Sequence, residues 1–356
     1  MKTVMCMYKR TDTRKVMVGG VQIGGQNHVV LQTMTLGRTK NVEESVREIN
    51  RYATAGAALV RLAVLDMDDA SAIKAIKEQT RVPLVADIHF DHCLALKAIE
   101  AGIDKIRINP GNIKREADVK AVAEACKAAG IPIRIGVNAG SLDANIEAQY
   151  GKTAQAMVES ARHHIARLEA HGFEDIVISL KASDVRLAVD SYLLAANTWR
   201  YPLHIGITEA GSKARGTVMS AAGLGTLLHH GIGDTIRISL HAPRHEELEV
   251  AKMLLSAYDL YDMPQVIACP TCGRLAYEMG PLLEQVEAYL KDHPKPLKVA
   301  VMGCAVNGPG EARDADIGVA GGQGEGLIFV KGKIIKKVPQ EDLFAALIDV
   351  IENYEY

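Results

Sequence analysis

Two sets of residues carry most of the chemistry open to this chain of 356 residues. The first is Cys269-Pro-Thr-Cys272, followed after 31 residues by Cys304 in the segment Gly303-Cys304-Ala-Val-Asn-Gly-Pro-Gly-Glu311. A Cys-x-x-Cys pair suits a dithiol redox couple, half of a zinc site or half of an iron–sulfur site. A dithiol couple leaves Cys304 and its turn-rich surroundings without a role. Structural zinc asks for a fourth Cys or His, and no other cysteine follows residue 265. Three thiolates with one weaker ligand suit one [4Fe–4S] cluster per chain, and Glu311 is the natural fourth ligand. The second set is polar groups set into apolar runs at period two: Arg61, Asp87 and His89, Arg107 and Asn109, Arg134 and Asn138, Ser179 and Lys181, His204 and Thr208, Arg237 and Ser239. Glu209 follows Thr208 directly.

The elements that must position these groups alternate regularly. Eight β-branched runs fall at 28–34, 58–64, 83–89, 105–110, 131–138, 175–182, 202–208 and 235–242, each followed by a stretch of helical periodicity. Several of those helices end on glycine, at Gly56, Gly102, Gly130 and Gly172, as a helix C-cap favours. Eight β-α units in about 230 residues predict a (β/α)8 TIM-like barrel. An open doubly wound sheet is the alternative, but no G-x-G-x-x-G opens a helix after the first strand. Strands buried on both faces should be continuously apolar. Cations at period two within them share a face that leads, in a barrel, to the active-site mouth. Arg61, Arg107, Arg134, Arg237 and Lys181 exceed what Asp87 and Glu209 neutralise, so the site awaits an anion. Arginine suits phosphate, and one or two phosphate groups fit best. The turn at 109–112 adds backbone donors at most.

The rhythm breaks near residue 258, predicting a barrel over 1–258, a linker over 259–265 and a smaller α+β domain over 266–356. Its strands are expected near 266–269, 297–303, 325–330 and 333–338, with helices near 274–291 and 340–353. The glycine-rich 321–326 segment lacks the ending of a P-loop and reads as a turn. The pairs His163-His164 and His229-His230 read as solvated or structural, and Cys6, Cys93 and Cys126 as ordinary thiols.

Composition narrows the classes. Forty-one Lys plus Arg against 43 Asp plus Glu argue against a nucleic-acid binder, and 4% aromatics against a base-stacking platform. No apolar window is long enough for a membrane span, and the first 15 residues lack a secretory core. A cytoplasmic location with reduced thiols is the expectation.

Together these segments resemble the 4-hydroxy-3-methylbut-2-enyl diphosphate synthase family, iron–sulfur enzymes of isoprenoid biosynthesis. The likeness rests on QTMT (32–35), VRLAV (60–64), ADIHF (86–90), IRINPGN (106–112), GVNAGS (136–141), SLKAS (179–183), HIGITEAG (204–211), CPTCGR (269–274) and GCAVNGPGE (303–311). It runs in order over nearly the whole chain and matches the two-domain bacterial form. The resemblance implies reductive ring opening of 2-C-methyl-D-erythritol 2,4-cyclodiphosphate to (E)-4-hydroxy-3-methylbut-2-enyl diphosphate. It implies cluster ligation by Cys269, Cys272, Cys304 and Glu311, and diphosphate binding by Arg61, Arg107, Arg134, Asn138, Lys181 and Ser239. His204 and Asp87 become neighbours of the substrate, and Glu209 the acid for the departing hydroxyl. A flavodoxin or ferredoxin is the implied electron donor, and a head-to-tail homodimer the implied assembly. Thr33, the stretch at 36–39 and the stretch at 240–247 depart from the usual pattern. Two other readings compete: a pterin-binding-type barrel transferase with a structural metal domain, and a non-catalytic iron–sulfur module.

Overall fold

A computed structural model describes residues 8–89, 91–108, 115–275, 277–291, 293–304, 310 and 312–354. The chain divides into two compact units after Tyr261. In the first, a β-hairpin of β1 (Val16–Val18) and β2 (Val21–Ile23) precedes eight parallel strands. These are β3 (Val30–Met34), β4 (Leu59–Val64), β5 (Leu84–Ile88), β6 (Lys105–Ile108), β7 (Ile133–Asn138), β8 (Ile176–Lys181), β9 (His204–Ile205) and β10 (Thr235–Ile236). Their order is β8-β7-β6-β5-β4-β3-β10-β9, and a parallel bridge from Ile178 to Leu203 joins the two ends into a barrel.

Alternation along each strand sorts its residues. Val60, Leu62 and Val64 of β4 face outward into the large core formed with the helices, as do Ile133, Ile135 and Val137 of β7. Leu59 points inward, where it joins Val30 and Val85 in a separate apolar cluster with Val18 and Ile23 of the hairpin. That cluster plugs the N-terminal end of the barrel. Above it the inward positions turn polar, a departure from the layers of branched residues that usually fill such a barrel. The helices between strands start on side-chain caps: Asp66, Asp91, Thr153 and Asp184 each accept a backbone N–H of the first turn. Gly56, Gly102, Gly130 and Gly172 all have positive φ, in keeping with the expected C-caps.

A strap preceding the hairpin is tied to the strand ends by Asp234. Its carboxylate accepts from Tyr8 Oη at 3.0 Å, Thr13 Oγ1 at 2.7 Å and the Leu203 N–H at 2.7 Å. Burial pushes this carboxyl up to about 6.

Two expected strands are shorter than their sequence runs: β9 and β10 have two ladder residues each. Thr208, Arg237 and Ser239 therefore lie on segments beyond the strands. β9 ends just before Gly206, where an added Cβ would meet Lys181 Nζ and the Arg237 carbonyl at 2.8 Å, so only a glycine leaves room there for the lysine.

The second unit is a mixed sheet in the order β11-β12-β13-β14-β15. β11 (Gln265–Ala268), β12 (Lys298–Met302) and β13 (Ile317–Gly321) are parallel, while β14 (Glu325–Val330) and β15 (Lys333–Pro339) return antiparallel. Helices Met279–Leu290 and Leu343–Glu352 pack on one face through Val286, Leu290, Leu347 and Ile351. β13 was not among the expected strands, because its glycines dilute the apolar alternation. The first helix starts at Met279, five residues later than its periodicity suggests. No helix among the described residues is long and apolar enough to cross a membrane.

Candidate active site

The inward polar layer of the barrel brings the sequence-derived cations together. Asp87 lies between two of them, with Arg107 Nη1 at 2.9 Å and Arg61 Nε at 3.6 Å. His89 Nε2 is 3.2 Å from the same Arg107 nitrogen. Arg61 otherwise points at a thioether: its Nε and Nη2 lie 3.1 and 2.8 Å from Met34 Sδ, a weak acceptor. Arg134 is 1% exposed, and its Nε and Nη1 have no hydrogen-bond partner among the described residues. Arg107 Nε is likewise unmatched. An added Cβ at Gly136 would meet Arg107 Nε at 2.6 Å, so a glycine is what lets this guanidinium lie across β7.

On the other side of the barrel Lys181 is buried at the end of β8. His204 opens β9 with no exposed surface, its Nδ1 2.6 Å from Thr235 Oγ1 and its Nε2 unmatched. Arg237 reaches Glu247 Oε2 at 3.8 Å. Glu247 is itself held by the Leu240 N–H at 2.9 Å and by Arg244.

The electrostatics follow from this crowding. Burial, then Arg134, Arg237, Arg61 and Arg107, holds the Lys181 ammonium well below the lysine range. Burial, then Arg134, Lys181, Lys105 and Arg61, holds His204 well below the imidazole range. Arg134 is pressed down by burial, then by Arg61 and Arg107; Arg237 falls to about 9, chiefly through burial. Burial pushes the Asp87 carboxyl up, but Arg61, a hydrogen bond with His89, Arg107 and Arg134 outweigh it and hold it well below the carboxylate range. A guanidinium does not give up its proton. Burial and mutual repulsion both disfavour these charges, and an anion entering the layer would relieve the repulsion.

The remaining expected residues ring this layer. Asn138 closes β7 in register with Lys181. Ser239 is half-buried after β10, and Glu209 is exposed after β9. Glu209 has φ 54°, a left-handed backbone rare for a residue with a side chain and concentrated at functional turns. Asn109 lies outside the described residues, with the rest of its turn. Sequence reasoning missed Lys105, Gln32 and Glu247. Lys105 shares the parity of Arg107 on β6, a signal that was available; Glu247 comes from helix Arg244–Ser256, whose approach to the barrel no local pattern reveals.

In the second unit, Cys269 directly follows β11 and Cys304 comes two residues after β12, the neighbouring parallel strand. The Cys269 N–H donates to the Val301 carbonyl at 3.0 Å. A Cβ on Gly303 would meet Leu275 Cδ1 at 2.9 Å and stand 3.7 Å from Cys269 Sγ, so the missing side chain lets Leu275 pack beside that sulfur. Thr271 has φ 56°, the strained turn that carries Cys272 to an exposed position. Two half-buried sulfurs at adjacent strand ends and one exposed sulfur on a tight turn fit a thiolate-bound metal group. Glu311 lies outside the described residues.

Comparison with known proteins agrees with both units. The GcpE TIM-barrel domain family matches residues 13–252, and the GcpE protein C-terminal domain family matches residues 265–353. The chain is 56% identical over 347 residues to the 4-hydroxy-3-methylbut-2-en-1-yl diphosphate synthase (flavodoxin) of Bacillus cytotoxicus, covering 96% of this chain and 94% of that one. It is 55% identical over 352 residues to the Bacillus subtilis protein of the same name, covering 98% and 93%. Among solved structures, Yersinia pestis dihydropteroate synthase shares the barrel, with a TM-score of 0.52 and 15% identity over 69% of this chain and all of that one. At that identity the likeness is one of fold alone, and the pterin-transferase reading is not favoured. With two family matches that span most of its length and 56% identity over 96% of it, the chain belongs to the GcpE family.

Proposed function

We propose that this enzyme reductively opens 2-C-methyl-D-erythritol 2,4-cyclodiphosphate. It consumes two electrons and two protons, and releases (E)-4-hydroxy-3-methylbut-2-enyl diphosphate and water. The observation that carries this reading is the enclosed cationic layer. Arg61, Arg107, Arg134, Lys181 and Arg237 stand against Asp87 and Glu247, with donors of Arg107 and Arg134 left unmatched among the described residues. A diphosphate supplies the missing charge, and its bidentate oxygens match arginine. As the C2–O bond breaks, negative charge grows on the departing phosphate oxygen. Cations already fixed by Asp87 and by strand packing stabilise it without reorganising. Asn138 and Ser239 donate to the same anion from the rim. Asp87 keeps Arg61 and Arg107 oriented, and Glu209, at the exposed mouth, gives a proton to the hydroxyl that leaves as water.

When bound, a [4Fe–4S] cluster held by Cys269, Cys272, Cys304 and Glu311 supplies the electrons. Glutamate is the harder and weaker ligand of the four. The chain has no nucleotide fingerprint of its own, so a flavodoxin or ferredoxin delivers the electrons from outside. A head-to-tail homodimer, with one subunit's cysteine domain serving the partner's barrel, and a cytoplasmic location belong to the same proposal. Protein purified without oxygen should be brown, with about four iron and four sulfide per chain, and Cys304→Ser should lose both. Stoichiometric zinc without iron would contradict the reading.

A further inference from the structure

Lys105 is the first residue of β6 and has no exposed surface, although a strand's first residue is often its most solvated. Its register partner on β5 is Val85, a member of the apolar plug and itself paired with Arg61. The residue therefore enters the barrel one layer below Arg107 and Asp87 and level with Arg61. Its Nζ has no hydrogen-bond partner, and no carboxylate among the described residues pairs with it. The charged and titratable groups that act on it are Arg134 of β7, Arg61 of β4 and His204 of β9. Elsewhere on inward positions of the barrel, both amide atoms of Gln32 and the Nε2 of His204 are also unmatched among the described residues.

A full charge buried among cations, with no counter-ion, is strongly disfavoured. A lysine escapes that cost by releasing its proton, as an arginine cannot. Packing alone would be served better by methionine at this position.

We propose that Lys105 is a further binding residue of the anion site, uncharged in the free barrel and protonated from solvent when a diphosphate enters above it. The layer then gains one positive charge at the moment an anion can pair with it. Ligand affinity thereby becomes linked to pH at a depth where no rim residue reaches. This inference rests on the diphosphate reading of the barrel and deepens it.

The test uses the full chain and inorganic pyrophosphate, which requires no turnover. Calorimetric titration in two buffers of different ionisation enthalpy counts the protons taken up on binding. The wild type should take up protons, and Lys105→Met should take up about one fewer while binding pyrophosphate about tenfold more weakly. The melting temperature of ligand-free Lys105→Met should rise, because an unpaired buried amine is gone; a structural lysine would lower it. Lys105→Gln, polar and uncharged, guards against misfolding and should show the same loss of proton uptake. Unchanged affinity and unchanged proton uptake in both variants overturn the role of Lys105 while leaving the diphosphate site standing. Failure of the wild type to bind pyrophosphate overturns both.

Discussion

Among the described residues Asp87 is the one carboxylate in contact with both Arg61 and Arg107, and its removal separates structural from catalytic demands. Asp87→Asn should destabilise the fold by about 3–5 kcal/mol at neutral pH, since it leaves two buried guanidiniums without their partner. The carboxyl is held well below its unfolded value of about 3.9. Its stabilising contribution is therefore present above that value and is lost as pH falls through the depressed one. Urea unfolding at pH 7 and again below pH 4 should show the gap between variant and wild type narrowing in acid. At this scale the sequence was informative because barrel strands impose parity: a cation in an apolar run has only two directions. Arg61, Arg107, Arg134 and Lys181 were legible for that reason. Lys105 obeys the same parity, but a lysine at a strand start resembles an ordinary solvated end, and only its enclosure sets it apart. Met34 was invisible because its side chain does not look out of place in a strand, whereas Gln32, a polar residue in an apolar run, carried a signal that was passed over.

The elements were legible where period and caps agreed, and less so where one close contact decides. β9 ends beside Gly206, whose missing side chain leaves room for Lys181 of β8, a contact that the residues of β9 do not themselves announce. The hairpin plug was missed because its three-residue strands are too short for alternation to register. Tying the strap to the barrel through Asp234 has a measurable consequence. Its carboxyl rises from 3.8 to about 6 through burial. The neutral form is thus favoured in the folded state, and the contribution is full below about pH 4 and lost as pH rises through about 6. Asp234 should therefore cost about 3 kcal/mol of stability between those pH values. In Asp234→Asn the dependence of unfolding free energy on pH should flatten across that window, as chemical denaturation at pH 4, 5, 6 and 7 would reveal. An unchanged slope would remove Asp234 as its source.

For the whole molecule, the division of labour follows from chemistry. An anion-binding barrel cannot by itself reduce its substrate, and a cysteine domain cannot by itself hold a diphosphate. A head-to-tail dimer makes a specific demand on mixed subunits. Arg134→Leu should spoil the proposed barrel site and Cys304→Ser the proposed cysteine site, each alone abolishing activity. Dissociated and reassociated together, they should recover about one quarter of wild-type activity, because half the dimers pair one intact barrel with one intact cysteine domain. No recovery after verified subunit exchange would place both halves of each site in one subunit. The sequence carried both halves of the chemistry but not their assembly, which depends on surfaces that no motif encodes. The most direct measurement of the central claim is anaerobic turnover of 2-C-methyl-D-erythritol 2,4-cyclodiphosphate by iron-loaded protein with reduced flavodoxin. The expected result is (E)-4-hydroxy-3-methylbut-2-enyl diphosphate in proportion to electrons consumed, abolished in Cys304→Ser. Iron-loaded protein that binds the cyclodiphosphate but yields no product with this donor, or with dithionite, would contradict the account.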